Sequence, residues 1–207
     1  MKLSLPKLYP ITDTGITGLT HLEQVRRLAD GGATLIQLRD KVASPREFYE
    51  SAVEVMKFVR GSNVQIIIND RVDIAIAVGA DGVHLGQDDL SPAAARSLLG
   101  NEQIIGFSTH STQQALLALQ LPIDYAAIGP INATTTKSDT DPVVGLNGLR
   151  AVRSAIGDFP LVAIGGISHE NAREILSSGA TSLAVISAVL SDPAGISSRF
   201  RQIVEHL

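Results

Sequence analysis

After the apolar run Ile66–Ile67–Ile68 the chain places an amide, an acid and a base in succession, Asn69, Asp70 and Arg71, and returns to apolar residues at Val72. Other apolar runs end the same way. Gln37, Arg39 and Lys41 follow one; Gln87, Asp88 and Asp89 another; Ser108, Thr109 and His110 a third; and Thr134, Thr136 and Lys137 stand in "GPINATTTKSD". Two carboxylates, Asp70 and Asp89, beside amide oxygens and without sulfur or clustered histidine suit a hard, oxygen-seeking cation, Mg2+ above all. Such an ion takes one or two protein carboxylates and completes its shell from substrate phosphates. Arg39, Lys41 and Lys137 supply the positive charge that a polyphosphate needs.

These groups need a scaffold that brings them together. Parallel strands covered on both faces read as short continuous apolar runs. Eight are present: "KLYPITD", "TLIQLRD", "QIIIND", "DGVHLGQ", "IIGFSTH", "DYAAIGP", "LVAIGG" and "SLAVISA". Helix-period segments lie between them, several opening on a serine able to cap the first turn (Ser44, Ser91, Ser111, Ser168), with Pro45 and Pro92 at the first helical position. "GGATLIQLR", "GADGVHLGQ" and "GATSLAVIS" repeat a joint of helix-ending glycine and apolar strand. Eight βα units without a composition break predict one domain over residues 1–207, an α/β fold of the (β/α)8 TIM-barrel type. An open doubly wound sheet would carry a glycine fingerprint after its first strand, and this chain has none. In a barrel, function gathers at the carboxyl ends of the strands, where the polar groups above all fall. Gly165–Gly166 and the turn after Ile186–Ser187 then stand at strands seven and eight, the usual place for a backbone phosphate cup. Two anion sites are expected, one metal-assisted and one metal-free.

Each element also has a plainer reading. Asp70–Arg71 could be a surface ion pair, worth about 0–1 kcal/mol, or Asp70 could cap the next helix. Paired glycines are frequent in turns. Ser108-Thr109-His110 could be a helix start, and "TTTKSDTD" a solvated loop. His84 reads as a satisfied core histidine; His21, His169 and His206 read as surface or helix residues without a role. The plain readings give no reason for all these groups to share one rim.

Composition excludes several classes. The chain of 207 residues has no cysteine, which removes thiolate metal sites, disulfides and cysteine nucleophiles. A net charge of −4 argues against a nucleic-acid partner. "MKLSLPKLYPITD" meets Pro6 too early for a signal peptide, and no apolar run reaches the roughly 18 residues of a membrane span. A soluble cytoplasmic protein with small-molecule substrates is expected; a homo-oligomer is left open.

The ordered set "QLRDK", "IIINDRVDIAIAVGADGVHLGQDDL", "IIGFSTHS", "TTTK", "VAIGGI" and "AVISA" closely resembles the thiamine-phosphate synthase family, from about Leu8 to Leu190. The resemblance implies a TIM barrel that joins a pyrimidine diphosphate to a thiazole phosphate, carboxylated or not, and releases diphosphate. It implies that the pyrimidine ionises first and that the thiazole nitrogen traps its methyl cation. Residue by residue it assigns Gln37, Arg39, Lys41 and Asn69 to the pyrimidine diphosphate, and Asp70 and Asp89 to Mg2+. Ser108 and Lys137 match further pyrimidine and diphosphate contacts, so that Lys137, Ser108 and Arg39 stand nearest the chemistry. Thr134, Thr136, Gly166, Ile186 and Ser187 match the thiazole phosphate contacts. The family usually has an aromatic residue and proline after "GPI"; Asn132 and Ala133 stand there instead, giving the loop more backbone freedom. Two alternatives belong to other classes. One is the thiazole tautomerase of the same fold, with His110 as acid–base group and no metal pair. The other is a non-catalytic ligand-binding barrel.

Overall fold

The computed structural model describes residues 5–134 and 142–207. The strands are β1 (Leu8–Pro10), β2 (Leu35–Leu38), β3 (Gln65–Asn69), β4 (Gly82–Leu85), β5 (Ile104–Thr109), β6 (Tyr125–Ile128), β7 (Leu161–Ile164) and β8 (Ser182–Val185). Their order, β1-β8-β7-β6-β5-β4-β3-β2, is parallel between every pair of neighbours. Just past β1 a parallel bridge joins Ile11 to Gln37 of β2, and the Thr12 N–H donates to the Gln37 carbonyl at 2.9 Å. That contact closes the sheet into a barrel. The expected (β/α)8 architecture is the one observed.

The helices are α1 (Thr14–Thr17), α2 (His21–Asp30), α3 (Pro45–Val59), α4 (Val72–Val78), α5 (Pro92–Leu99), α6 (Thr112–Ala118), α7 (Gly145–Ile156), α8 (Ala172–Ser177), α9 (Ser187–Leu190) and α10 (Ile196–His206). Ser44, Ser91 and Ser111 cap α3, α5 and α6 as their spacing predicts, and Ser44 forms a reciprocal capping box with Glu47. Ser168 does not cap. Its N–H donates to the Asn171 side chain at 2.8 Å, and that turn delays α8 until Ala172. Gly32, Gly79 and Gly179 take positive φ at the αβ joints, which lets the chain leave each helix and enter the next strand directly.

Ile66, Ile67 and Ile68 have no exposed surface, because one face of β3 meets the helices and the other the barrel interior. Full burial of each such side chain is worth about 1.5–3 kcal/mol. Small residues on the inner face, Ala127 of β6 and Ala184 of β8, leave space open toward the carboxyl ends of the strands. Among the described residues no helix is long and apolar enough to cross a membrane.

Candidate active site

The carboxyl ends of the strands surround a cavity of about 720 Å³. That lies within the range of small-ligand pockets, ~300–1,000 Å³. Gln37, Arg39, Lys41, Asn69, Asp70 and Asp89 all line it. So do Ser108 and Ile186. The polar strand ends picked out by residue type thus share one cavity. Thr136 and Lys137 fall outside the described residues. Thr134, Gly166 and Ser187 do not line this cavity. Thr109 turns away from it: its hydroxyl is buried and donates to the Ala127 carbonyl at 2.8 Å.

Asp70 carries the strain at this rim. It is the only described residue other than glycine with positive φ, 60°. A non-glycine residue held in such a conformation costs of order 1–3 kcal/mol, and such outliers cluster at functional sites. Its N–H donates to the His84 carbonyl at 2.8 Å, tying the turn to β4, and its carboxylate pairs with Lys41. Neither plain reading of Asp70–Arg71 describes the fold. Arg71 pairs with Asp73 at 2.5 Å, and Asp70 is not the residue flanking α4.

Asp89 folds back to accept the Gly86 N–H at 2.7 Å. Burial pushes its carboxyl above the ordinary aspartate value, and the neighbouring Asp70 carboxyl pushes it further. A carboxylate pair in which one member raises the pKa of the other attracts a cation. Among the described residues no group of three or more His, Cys, Asp or Glu could hold a metal ion. The donor set therefore fits a hard cation that takes two protein carboxylates and draws its other oxygens from water or from a bound anion.

Arg39 is held against Asp13 at 3.1 Å, both side chains largely buried. Asp13 also accepts the Gly15 and Ile16 N–H groups at the start of α1. It lines the cavity, as does Asp40, and neither was singled out in the sequence. The signal was there: Asp13 ends the run "KLYPITD" as Asp70 ends "QIIIND". His21, expected as a surface or helix residue without a role, does open α2 but is only 2% exposed. It bonds Thr12 at 2.7 Å and Asp40 at 3.3 Å. Burial lowers its pKa, against the pull of Asp40. Burial works to raise the Asp40 carboxyl, but the Ala43 and Val42 N–H groups and His21 bring it below its ordinary value.

At β7, Gly165 and Gly166 both take positive φ, 98° and 61°. A side chain on Gly166 would meet Asn132 Cβ at 2.6 Å and the Ala133 carbonyl at 2.7 Å. The Gly166 carbonyl accepts the side-chain amides of Asn132 and Asn171 at 3.1 and 2.9 Å. Gly166 is thus confined by the loop after β6, a constraint invisible in the pair Gly-Gly alone.

An eight-stranded parallel barrel whose strand ends pool acids, cations and amides around one cavity defines a TIM-barrel enzyme. The comparisons narrow the class. Residues 8–189 match the family described as thiamine monophosphate synthase. A thiamine-phosphate synthase of Koribacter versatilis is 47% identical over 209 residues, covering 98% of this chain and 97% of the relative. One from Chloroflexus aurantiacus is 46% identical, covering 89% and 85%. The solved thiamine phosphate pyrophosphorylase of Pyrococcus furiosus superposes with a TM-score of 0.83 at 40% identity, over 96% of this chain and 95% of that one. The chain belongs to the thiamine monophosphate synthase family, a family of transferases in thiamine biosynthesis.

Proposed function

We propose that this chain joins 4-amino-5-hydroxymethyl-2-methylpyrimidine diphosphate to 4-methyl-5-(2-phosphoethyl)thiazole, or its carboxylated form, giving thiamine phosphate and diphosphate. The observation that carries the reading is the carboxylate pair Asp70–Asp89 sharing one cavity with Arg39 and Lys41. A diphosphate with a divalent cation is the ligand that satisfies both charges at once. Mg2+ held by Asp70 and Asp89 would neutralise charge growing on the departing diphosphate. Arg39, pre-oriented by Asp13, and Lys41, beside Asp70, are placed to hold diphosphate oxygens. The described lining contains no cysteine, and no covalent intermediate is needed if the leaving group departs first. Apolar walls from Ile11, Val162 and Ile164 help keep water from the pyrimidine methyl cation. Asn69, Gln37 and Ser108 line the same cavity and suit the pyrimidine diphosphate. Thr134, Thr136, Gly166, Ile186 and Ser187 are assigned to the thiazole phosphate, and Lys137 to the diphosphate, on the strength of the resemblance.

The family likeness and the lack of a membrane-crossing helix among the described residues support a cytoplasmic enzyme with small-molecule partners. The test is direct. Both substrates are supplied with and without Mg2+, and thiamine phosphate and diphosphate are measured. Formation of both products only with the metal is expected. Tautomerisation of a thiazole without metal would instead favour the second reading, for which His110 lines the cavity with Nδ1 donating to the Gly129 carbonyl at 2.8 Å.

A further inference from the structure

A row of hydrogen bonds crosses the inside of the barrel below the ionic rim. Gln37 Nε2 donates to Tyr9 Oη at 3.0 Å, and Tyr9 Oη lies 3.1 Å from Tyr125 Oη. Tyr125 Oη lies 2.9 Å from His84 Nδ1, and His84 Nε2 lies 2.9 Å from Ser108 Oγ. The five residues come from β2, β1, β6, β4 and β5. Gln37 and Ser108, the two ends, both line the cavity. Tyr125, near the middle, is fully buried. Its ring stacks on His84 at 5.5 Å and meets Tyr9 edge-on at 6.1 Å. Space has been cleared for this contact. A side chain on Gly106 would stand 2.3 Å from Tyr125 Oη and 2.5 Å from His84 Nδ1.

Such a row can run in two directions, because either hydroxyl can donate in the Tyr9–Tyr125 bond and the roles of the His84 nitrogens follow its tautomer. Burial keeps both tyrosines protonated, so each hydroxyl has one proton to give. In one direction Tyr9 accepts from Gln37, as the amide is placed, and gives its proton to Tyr125. In that direction Tyr125 gives its own to His84 Nδ1, and the ring, when neutral, carries its proton on Nε2 and donates to Ser108. Ser108 is left with its O–H to offer the cavity, and Gln37 with its carbonyl oxygen. If the Gln37 amide is turned over, every bond reverses: Tyr9 donates to Gln37, and Ser108 spends its proton on His84. The two ends cannot change character independently.

We infer that Tyr9, Tyr125 and His84 are positioning residues that couple Gln37 to Ser108, so that the cavity reads a heteroaromatic amine by a donor at one edge and an acceptor at the other. The inference rests on the functional reading above and deepens it. In a 4-aminopyrimidine the amine and the ring nitrogen para to its carbon carry that complementary pair. The amine gives a proton to the Gln37 oxygen, and the ring nitrogen accepts one from Ser108. A 4-oxo pyrimidine locked by a methyl group on N3 presents an acceptor where the amine stood and keeps an acceptor at the para nitrogen. Gln37 can meet it only by turning over, which reverses the row and withdraws the Ser108 proton from the ring nitrogen. A local mismatch thus becomes a mismatch at both ends.

The direction is tested first, without ligand, by 15N NMR of the histidine rings in the wild-type protein. His84 is expected as the neutral tautomer protonated on Nε2; protonation on Nδ1 overturns the direction. Calorimetry then compares the 4-amino and N3-methyl-4-oxo pyrimidine diphosphates on wild type, Tyr125→Phe and Tyr9→Phe, each first shown to be folded by thermal melting. Wild type is expected to prefer the amine by at least ~100-fold, as sites with buried polar groups reject ligands that leave them unpaired. Breaking the row at either tyrosine is expected to shrink that preference at least ~10-fold, with thiazole phosphate binding within ~2-fold of wild type. An unchanged preference, or equal loss of all three ligands, would mean that the tyrosines serve packing only and the coupling is wrong. If wild type binds neither pyrimidine, the functional reading itself fails, and the coupling to an amine falls with it whatever tautomer His84 shows.

Discussion

Asp70 and Asp89 are each held in a state that the folded protein without a cation would do better to avoid. Asp70 keeps a left-handed backbone, φ 60°, that glycine adopts freely. Asp89 is half-buried beside another carboxyl, and both burial and Asp70 raise its pKa. A carboxylate whose pKa is higher in the folded than in the unfolded protein weakens the fold when ionised. That penalty is present above the folded pKa and is relieved as pH falls through it toward the unfolded value. In metal-free buffer, Asp89→Asn is therefore expected to melt higher than wild type near neutral pH, the gap closing on acidification. The amide oxygen can still accept the Gly86 N–H, so the turn is kept. Melting curves from neutral to acid pH check this, and parallel curves at every pH would refute it. The same variant, like Asp70→Asn, is expected to lose at least ~10²-fold in turnover with Mg2+, about 2.7 kcal/mol of transition-state stabilisation. Gain in stability with loss of activity is what distinguishes a ligand site from a structural ion pair.

The elements show why the barrel could be read from the sequence and parts of the site could not. Runs such as Ile66–Ile68 state burial on both faces in residue type alone, and Ser44-Pro45 states a helix start in two residues. Ser44→Ala is expected to cost about 1 kcal/mol, since it removes the bond to the Glu47 N–H. Denaturant titration measures this, and turnover should be unchanged because Ser44 does not line the cavity. The polar strand ends were equally legible, because side-chain chemistry does not depend on register. What stayed hidden are relations between elements far apart in the chain. His21 looks like an ordinary helix residue until Thr12 and Asp40 close around it. His84 was rightly read as satisfied, but nothing local names Tyr125 and Ser108 as its partners. Gly166 is the sharpest case. As half of a glycine pair it suggests close approach of an anion, whereas in the fold it leaves room for Asn132 and Ala133. Gly166→Ala is expected to lower the melting temperature and weaken thiazole phosphate binding together, because the added Cβ must push the 130–134 loop and sits at φ 61°. Lost binding at unchanged stability would instead favour direct contact between Gly166 and the phosphate.

At the scale of the whole molecule, the ionic rim is shared among strands and owned by none. Arg39 and Lys41 follow β2, Asp70 follows β3 and Asp89 follows β4, while the chain as a whole carries a net charge of −4. On the proposed reading Mg2+ alone would meet two described carboxylates, one of them engaged by Lys41, which is too few for firm binding. Diphosphate alone would meet Arg39 and Lys41 but also face Asp70 and Asp89, whose charge would repel it. On the proposed reading the two ions together would cancel both mismatches, the anion supplying the metal's remaining oxygens and the metal shielding the anion from the carboxylates. Binding of either is then expected to strengthen the other by the same factor, as linkage requires. In thermal melts, Mg2+ or diphosphate added separately should move the midpoint little. Added together at about 100 times the joint dissociation constant, they should contribute about 2.7 kcal/mol, or about 5–10 °C for a chain of this size. Asp89→Asn should abolish the extra shift while leaving the small effect of diphosphate alone intact or enlarged, because one repelling charge is gone. Shifts that merely add in the wild type would mean that metal and diphosphate bind apart, and Asp70 and Asp89 would then have to serve something other than the leaving group.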